Sequence, residues 1–158
     1  MSLSNFYTRY SVAAAVLFTV TAAVFLFNNQ YANTWLLYTG NLLFSAVVLL
    51  GVIRVNHRVH DNASMQSLFM VGIKITFYAI LIASVLTLIM LAVISSTTGG
   101  TTVDQSPSQA GRDTRGDLVL NVFLSAVMVN GFLGALASLI GSTVAKRNQK
   151  TTQGKTMY

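Results

Sequence analysis

The chain has 158 residues, enough for one domain, and only 9% of them are charged, whereas 53% are apolar. Ordinary soluble domains carry about 25% charged residues, so this deficit indicates a membrane protein. The lack of cysteine excludes disulfides, thiolate nucleophiles and cysteine-ligated metals. A net charge of +6 is compatible with nucleic acid. The basic residues flank apolar stretches, however, where they set membrane orientation, and no nucleic-acid partner is expected.

Four apolar stretches are long enough to cross a bilayer, because a hydrocarbon core of about 30 Å requires roughly 20 helical residues. The predicted spans are residues 11–27, 35–53, 68–94 and 118–144. The last two exceed the required length, so those helices must tilt or protrude. The sequence therefore predicts an all-α fold, a single transmembrane domain over 1–158 built as an integral membrane four-helix bundle.

The distribution of lysine and arginine predicts the orientation of the bundle, since cytoplasmic segments carry an excess of both. Seven lie before the first span, between the second and third spans, or in the basic tail 145–158, and the polar loop 95–117 holds two. Both termini are therefore expected in the cytoplasm and the loop 95–117 outside. The tail has no acidic residue, and four of its residues are expected to contact anionic lipid headgroups: Lys146, Arg147, Lys150 and Lys155.

Spans two and four share a short echo. Asn, Ser, Ala, Val and Gly recur at equal offsets in residues 41–51 and 121–131. One interpretation is a repeat of two helical hairpins about an axis along the membrane normal, which would set Asn41 and Asn121 at equal depth. The alternative is coincidence in a sequence that uses few residue types.

The fourth span carries a face of small residues, which allow helices to approach closely in lipid. This face is predicted to pack the helix within its own bundle or, as the alternative, against another subunit. Its members are Ser125, Gly131, Ala135, Ser138 and Ser142.

Polar side chains also occur within or beside the spans, at Asn41, Asn121, Asn130 and Lys74. Asn130 is near the middle of the fourth span, where a buried amide needs partners. The simplest expectation is a hydrogen bond to Thr19, Thr21 or Ser84, and the alternative is a polar point on a solute path. Lys74 is the only charge well inside a span, and its long stem is expected to carry the ammonium to the lipid headgroups.

The spans hold no Asp, Glu or His, which argues against proton-coupled transport. His57, His60 and Asp61 lie close together between spans two and three. Without further ligands they predict a polar turn there rather than a metal site, with Asp61 or Asn62 capping the third helix. Every His and Asp lies in a loop or at an end, away from the hydroxyls of the spans. We therefore expect no catalytic residue, no cofactor and no enzyme activity.

Two stretches resemble a known family. Residues 65–74, Met-Gln-Ser-Leu-Phe-Met-Val-Gly-Ile-Lys, lead into span three, and residues 131–147 end span four. Together with the four-span layout, they resemble small four-helix membrane proteins of Bacteroidota that share a domain of unknown function. Members of that family often have an Asp-Pro pair after helix three, where this chain has Ser-Ser-Thr-Thr-Gly-Gly from residue 95. The resemblance implies a bacterial inner (plasma) membrane and brings no catalytic residues.

These observations predict a non-enzymatic structural or accessory subunit in contact with membrane lipids. It would act through helix–helix contacts, as a homo-oligomer or with other membrane protein subunits. The alternative function is a small-solute channel or carrier that uses Asn41, Asn121 and Asn130. A pore requires these residues to converge on a wet cavity, whereas dry helix contacts would exclude it.

Overall fold

The computed structural model describes residues 3–27, 35–58, 63–97 and 122–155. Four helices make up almost all of these ranges, and no strand occurs in them. The first three are α1 (Leu3–Phe27), α2 (Trp35–Arg58) and α3 (Met65–Thr97). The fourth, α4, covers residues 122–155 and contains a π-helical turn, Ser125–Val129, followed by the α-helix Asn130–Lys155.

All four helices are long and apolar enough to cross a membrane, which confirms the prediction of an all-α four-helix bundle. In hydrocarbon, a helix satisfies every backbone hydrogen bond within one segment, so apolar runs of this length fold as helices. The chain is therefore a multi-pass membrane protein. Its crossing segments are Phe6–Leu26, Trp35–Arg58, Met65–Met90 and Val122–Arg147.

The helices extend beyond the predicted spans. α3 begins at Met65 because Ser64, rather than Asp61 or Asn62, caps it: the Ser67 N–H donates to Ser64 Oγ at 3.1 Å. α4 continues to Lys155 through most of the segment predicted as a tail. Residues 145–153 contain good helix formers such as Lys, Arg and Gln and neither Pro nor Gly, so nothing in them ends the helix.

The helices pack at the corners of a square in the order α1, α2, α4, α3. α1 and α4 each pack along both α2 and α3, and α2 also contacts α3 across the diagonal. Gly40 lies against Thr21 and Gly51 against Tyr10, so α1 and α2 are antiparallel. α1 and α4 occupy opposite corners.

α3 and α4 form the second antiparallel pair. Gly72, near the start of α3, lies against Ser138, and Gly131, earlier in α4, lies near Ile80. The start of α1, the end of α2, the start of α3 and the end of α4 are therefore at one end of the bundle. We call it the basic end, because the exposed basic side chains of α1, α2 and α4 lie there.

The core is filled by large apolar side chains that are almost completely buried. They are Phe18, Phe44, Val48, Val52 and Ile75. The outward faces are apolar as well, with many exposed Val, Leu and Ile side chains, as expected for a surface that meets lipid tails. Because lipid tails are as apolar as the core, helix association depends on close packing and on interhelical hydrogen bonds rather than on the hydrophobic effect.

The echo between spans two and four is not a two-fold repeat. α2 and α4 run parallel, with Asn41 beside Ser125 toward one end and Val52 beside Gly141 toward the other. The echo aligns Ser125 with Ser45, one turn away from the residue that Ser125 contacts. Ser45 and Ser125, which are equivalent in the echo, therefore lie at different depths, which contradicts an axis along the membrane normal.

Candidate functional site

The small-residue face predicted on the fourth span points into the bundle. Ser138 and Ser142 are completely buried on α4. The remaining members of the face are half-buried, namely Ser125, Gly131 and Ala135. Ser138 and Ser142 therefore pack α4 within its own chain, whereas the half-buried members are partly open to the surface of the bundle.

Glycines bring α3 and α4 into close contact in a reciprocal pattern. Gly72 of α3 faces Ser138 of α4, and a Cβ placed on Gly72 would lie 2.5 Å from the Ser138 Cβ. One turn along, Gly134 of α4 faces Thr76 of α3, and a Cβ placed on Gly134 would lie 2.6 Å from Thr76 Oγ1. Real Cβ atoms do not approach other atoms so closely, so only glycine fits at these two positions without a shift of the helices.

Several interior hydroxyls bond to helix carbonyls, which satisfies them without a partner side chain. Ser138 Oγ donates to the carbonyl four residues back at 2.6 Å, and Ser142 Oγ to the carbonyl three residues back at 2.8 Å. Ser11 Oγ donates its one proton either to the Tyr7 carbonyl of its own helix at 2.8 Å or across to α3, to the Ile75 carbonyl at 3.1 Å. This last bond joins α1 to α3 in the interior.

Asn41 joins α2 to α4. Its Nδ2 donates to Ser125 Oγ at 3.0 Å, and the Asn41 side chain is only 2% exposed. The contact is a direct bond between two helices rather than a side chain lining an open path. Asn121, the third asparagine of the predicted polar set, lies outside the described residues.

The Asn130 side chain has no hydrogen-bond partner within the described part of the chain. Its side chain is completely buried, and neither Nδ2 nor Oδ1 makes a hydrogen bond there. The expected bonds to Thr19 or Thr21 are wrong, because these hydroxyls donate to carbonyls of α1 at 2.8 Å, and the expected bond to Ser84 is absent as well. α1 and α4 occupy opposite corners of the square, so threonines of α1 do not reach Asn130.

Two aromatic side chains and a lysine face outward from α3. Phe77 and Tyr78 are the two middle residues of the crossing segment Met65–Met90, and their side chains are 61% and 51% exposed. Lys74, one turn earlier, is exposed too. We call Lys74, Phe77 and Tyr78 the α3 outer face. The two aromatic residues were not predicted from the sequence. Aromatic residues are enriched at the membrane interfaces, so their position in the middle of a span was a signal that could have found them.

Lys74 lies deeper in the helix than the sequence indicated. α3 begins at Met65, so Lys74 is about 13 Å along the helix axis and about 5 Å from the middle of the crossing segment. An ammonium at that depth reaches the headgroups only if its stem extends fully toward the basic end. The alternative is a polar group of a neighbouring protein.

The basic end carries no acidic side chain among the described residues. The Arg58 guanidinium lies over the Phe6 ring, 4.9 Å from its centroid, which anchors the end of α2 on α1. The side chains of Lys150 and Lys155 are outside the described part of the structure. The other basic residues at this end are Arg9, Arg54, Lys146 and Arg147.

In the described ranges, no three His, Asp or Glu side chains are grouped as metal ligands. His57 is exposed in the last turn of α2. His60 and Asp61 lie outside the described residues, so the polar turn expected there stays a prediction.

No family model, no curated protein and no solved structure matches this chain. The resemblance to membrane proteins of Bacteroidota therefore stays a prediction. The function has to be inferred from the helices and their side chains.

Proposed function

We propose that the protein is a non-enzymatic structural or accessory subunit that works through helix–helix assembly, as a homo-oligomer or beside another membrane protein. The α3 outer face is the surface that makes the contact. The observation that carries this proposal is Tyr78, a half-exposed tyrosine in the middle of a membrane-crossing helix.

The Tyr78 hydroxyl needs a hydrogen-bond partner that lipid tails do not supply. Both ends of the crossing segment are about 19 Å away along the helix, too far for a tyrosine ring to reach water or headgroups. A hydroxyl without a partner in an apolar environment costs about 1–3 kcal/mol. A neighbouring helix provides the missing acceptor, and tyrosine and phenylalanine are enriched at such contacts between proteins.

Lys74 adds a charge to the same face, because residues four apart lie on one side of a helix. Charged side chains inside a membrane nearly always face protein or water rather than lipid. No acidic side chain occurs in the described spans, so in a homo-oligomer the ammonium would bond to hydroxyls or carbonyls of the second copy. A different membrane protein could also offer the Lys74 ammonium an acidic side chain.

The second candidate function is a small-solute channel or carrier. It is favoured by Asn130, a buried amide whose donor and acceptor are both unpaired within the described residues. Against it, Phe18 and Phe44 are completely buried and fill the interior between the helices of a single bundle. Asn41 and Ser125 also bond to each other instead of lining an open path.

Tyr78→Phe is expected to lower the association constant of the assembly about 3- to 10-fold and, with it, the assembled fraction. The change removes only the hydroxyl and with it one interhelical hydrogen bond, worth about 0.6–1.4 kcal/mol in a membrane. Native mass spectrometry of the tagged protein, extracted gently from its own membrane, measures this fraction. Tyr38→Phe is the matched control, because Tyr38 is 63% exposed in the first turn of α2, where water reaches its hydroxyl.

A defined homo-oligomer or a stoichiometric partner complex that weakens in Tyr78→Phe, and not in Tyr38→Phe, supports the proposal. The same behaviour of both variants contradicts the α3 outer face as the contact. If the unmodified protein is a monomer without a partner, assembly itself is contradicted, and flux assays in liposomes then test the channel. Lys74→Gln in the same assay shows whether the ammonium contributes to the contact or only reaches the headgroups.

Placement in a bacterial inner membrane with both termini in the cytoplasm is part of the proposal. The basic end supports this orientation, since basic residues accumulate on the cytoplasmic side. Arg9, Lys146 and Arg147 at this end suit contact with phospholipid headgroups.

Single cysteines test the orientation without background, because the natural chain has none. In right-side-out vesicles, a membrane-impermeant maleimide is expected to label Trp35→Cys at once and Ser67→Cys only after permeabilisation. Both positions are exposed and lie at opposite ends of the bundle. The reverse pattern would place the termini outside.

A further inference from the structure

The least explained group in the interior is the Asn130 carboxamide. It is completely buried, and its donor and acceptor both lack a partner among the described residues. Asn130 directly follows the π turn Ser125–Val129, and its backbone N–H donates to the carbonyls of Ser125 and Val127. π turns are rare inside helices and occur frequently at functional sites.

α3 carries two further buried hydroxyls, Thr76 Oγ1 and Thr87 Oγ1, that have no partner in the described ranges. Thr87 is completely buried, and its Oγ1 has no partner in the described ranges. Ile80 lies near Gly131 in the antiparallel pair of α3 and α4. Two turns further along α3, Thr87 comes level with the residue before the π turn, whereas Thr76, one turn before Ile80, faces Gly134.

The π turn also holds Ser125, which bonds to Asn41 of α2. Three helices thus place polar groups within about two turns of one another, and we call Asn41, Thr87, Ser125 and Asn130 the polar layer. Small side chains occupy core positions at this depth, where Ala83 and Ala126 are completely buried. Phe44 is completely buried within one turn of Asn41, so a molecule bound beside the polar layer has to be as small as water.

The chemistry of Asn130 defines what can bind. Its amide offers two N–H donors and one carbonyl acceptor, so a cation would leave the donors unpaired and an anion would leave the acceptor unpaired. A neutral molecule that both donates and accepts satisfies both. Buried water does this in many proteins, with about three hydrogen bonds to polar groups that lack other partners.

We propose that the polar layer binds ordered water inside the bundle, with Asn130 as its principal ligand. The water supplies the hydrogen bonds that Asn130 does not find within its own chain, and the candidates on α3 for the next bond are Thr76 Oγ1, about one turn away along the bundle, and Thr87 Oγ1, about two turns away. Bound there, the water joins α3 to α4 where the π turn interrupts the regular helix. This site does not include the α3 outer face, so its test and the test of the proposed assembly have independent outcomes.

The deciding measurement is solid-state NMR of the protein in liposomes, labelled with ¹⁵N-asparagine. Polarisation transfer from water to the Asn130 side-chain amide is expected at short mixing times, with the signal assigned by its loss in Asn130→Leu. Absence of that transfer overturns the proposal. The matched variant Asn56→Leu is expected to keep the Asn130 signal, because Asn56 is a buried asparagine at the basic end of α2, about four turns from Asn41 and outside the polar layer.

Thermal unfolding provides a second readout. If Asn130 is hydrated, Asn130→Leu removes a satisfied amide, and the melting temperature is expected to stay the same or fall. A dry, unpaired amide is costly, so replacing it by leucine would then raise the melting temperature by about 5 °C or more, which also overturns the proposal. Asn41→Leu is expected to lower it in either case, since it breaks an existing bond and strands Ser125.

Discussion

Replacing Gly72 with alanine is expected to lower the melting temperature by about 4–12 °C, equivalent to about 2–3 kcal/mol in the free energy of unfolding. The added Cβ would lie 2.5 Å from the Ser138 Cβ and 2.9 Å from Val52 Cγ2. A Cβ is attached directly to the backbone and cannot rotate away, so α3 must move off α4 and α2. Thermal unfolding followed by far-UV circular dichroism in detergent measures the loss.

Gly131→Ala is the matched control. It makes the same change on α4, but the atom nearest to the added Cβ, Ile80 Cδ1, is 3.6 Å away at ordinary contact distance. Alanine favours a helix over glycine by about 1 kcal/mol, so this variant is expected to keep or raise the melting temperature. Gly134→Ala, which faces Thr76, is expected to behave like Gly72→Ala. Equal melting temperatures of Gly72→Ala and Gly131→Ala would contradict the close approach of α3 and α4.

Phe44→Ala is expected to lower the free energy of unfolding by about 2–3 kcal/mol. The Phe44 side chain is completely buried among the helices. In a bilayer the side chain moves between two apolar surroundings, so the usual gain from leaving water is small and the cavity dominates the cost. Losing a phenyl ring removes on the order of 100 Å³, and a cavity costs about 24 cal/mol per Å³. Denaturation with SDS, followed by circular dichroism, measures the change.

Phe77→Ala separates stability from assembly. Phe77 is 61% exposed on the α3 outer face, so its truncation leaves no cavity in the core, and unfolding is expected to change by less than about 0.5 kcal/mol. If the α3 outer face binds a partner, the same variant weakens the assembly seen by native mass spectrometry. A loss of stability as large as that of Phe44→Ala would show that Phe77 packs in the core instead.

The number of helices followed from the sequence because apolar runs of this length have one stable form in a bilayer. The backbone of each run must satisfy its own hydrogen bonds, and a helix achieves this within about 20 residues. The sequence predicted the exact ends of the helices less accurately. α3 begins at Met65 through a cap at Ser64, and α4 runs on to Lys155, because local capping and helix propensity act outside the hydrocarbon, where hydropathy carries no information.

The order of the helices around the square was beyond sequence reasoning. Helices that are apolar on all sides do not distinguish the core from the lipid by hydropathy, because both surroundings are apolar. Small residues gave the better indication, and Ser138 and Ser142 do face inward. That face packs against Gly72 and Thr76 of α3. The sequence did not reveal this pairing, because it depends on the packing order and register of two helices separated by a long loop.

Polar groups show most clearly which features the sequence determines and which depend on the tertiary structure. Composition and the placement of basic residues by themselves determined a four-helix membrane protein with a basic end, since charge and length decide how a chain partitions between water and lipid. The tertiary structure alone decided that Asn41 bonds to Ser125, that Asn130 is left unpaired within the described chain, and that Tyr78 faces outward. The physical reason is that hydrogen bonds and exposure depend on the rotation and register of each helix against its neighbours, and an apolar sequence encodes these only through packing.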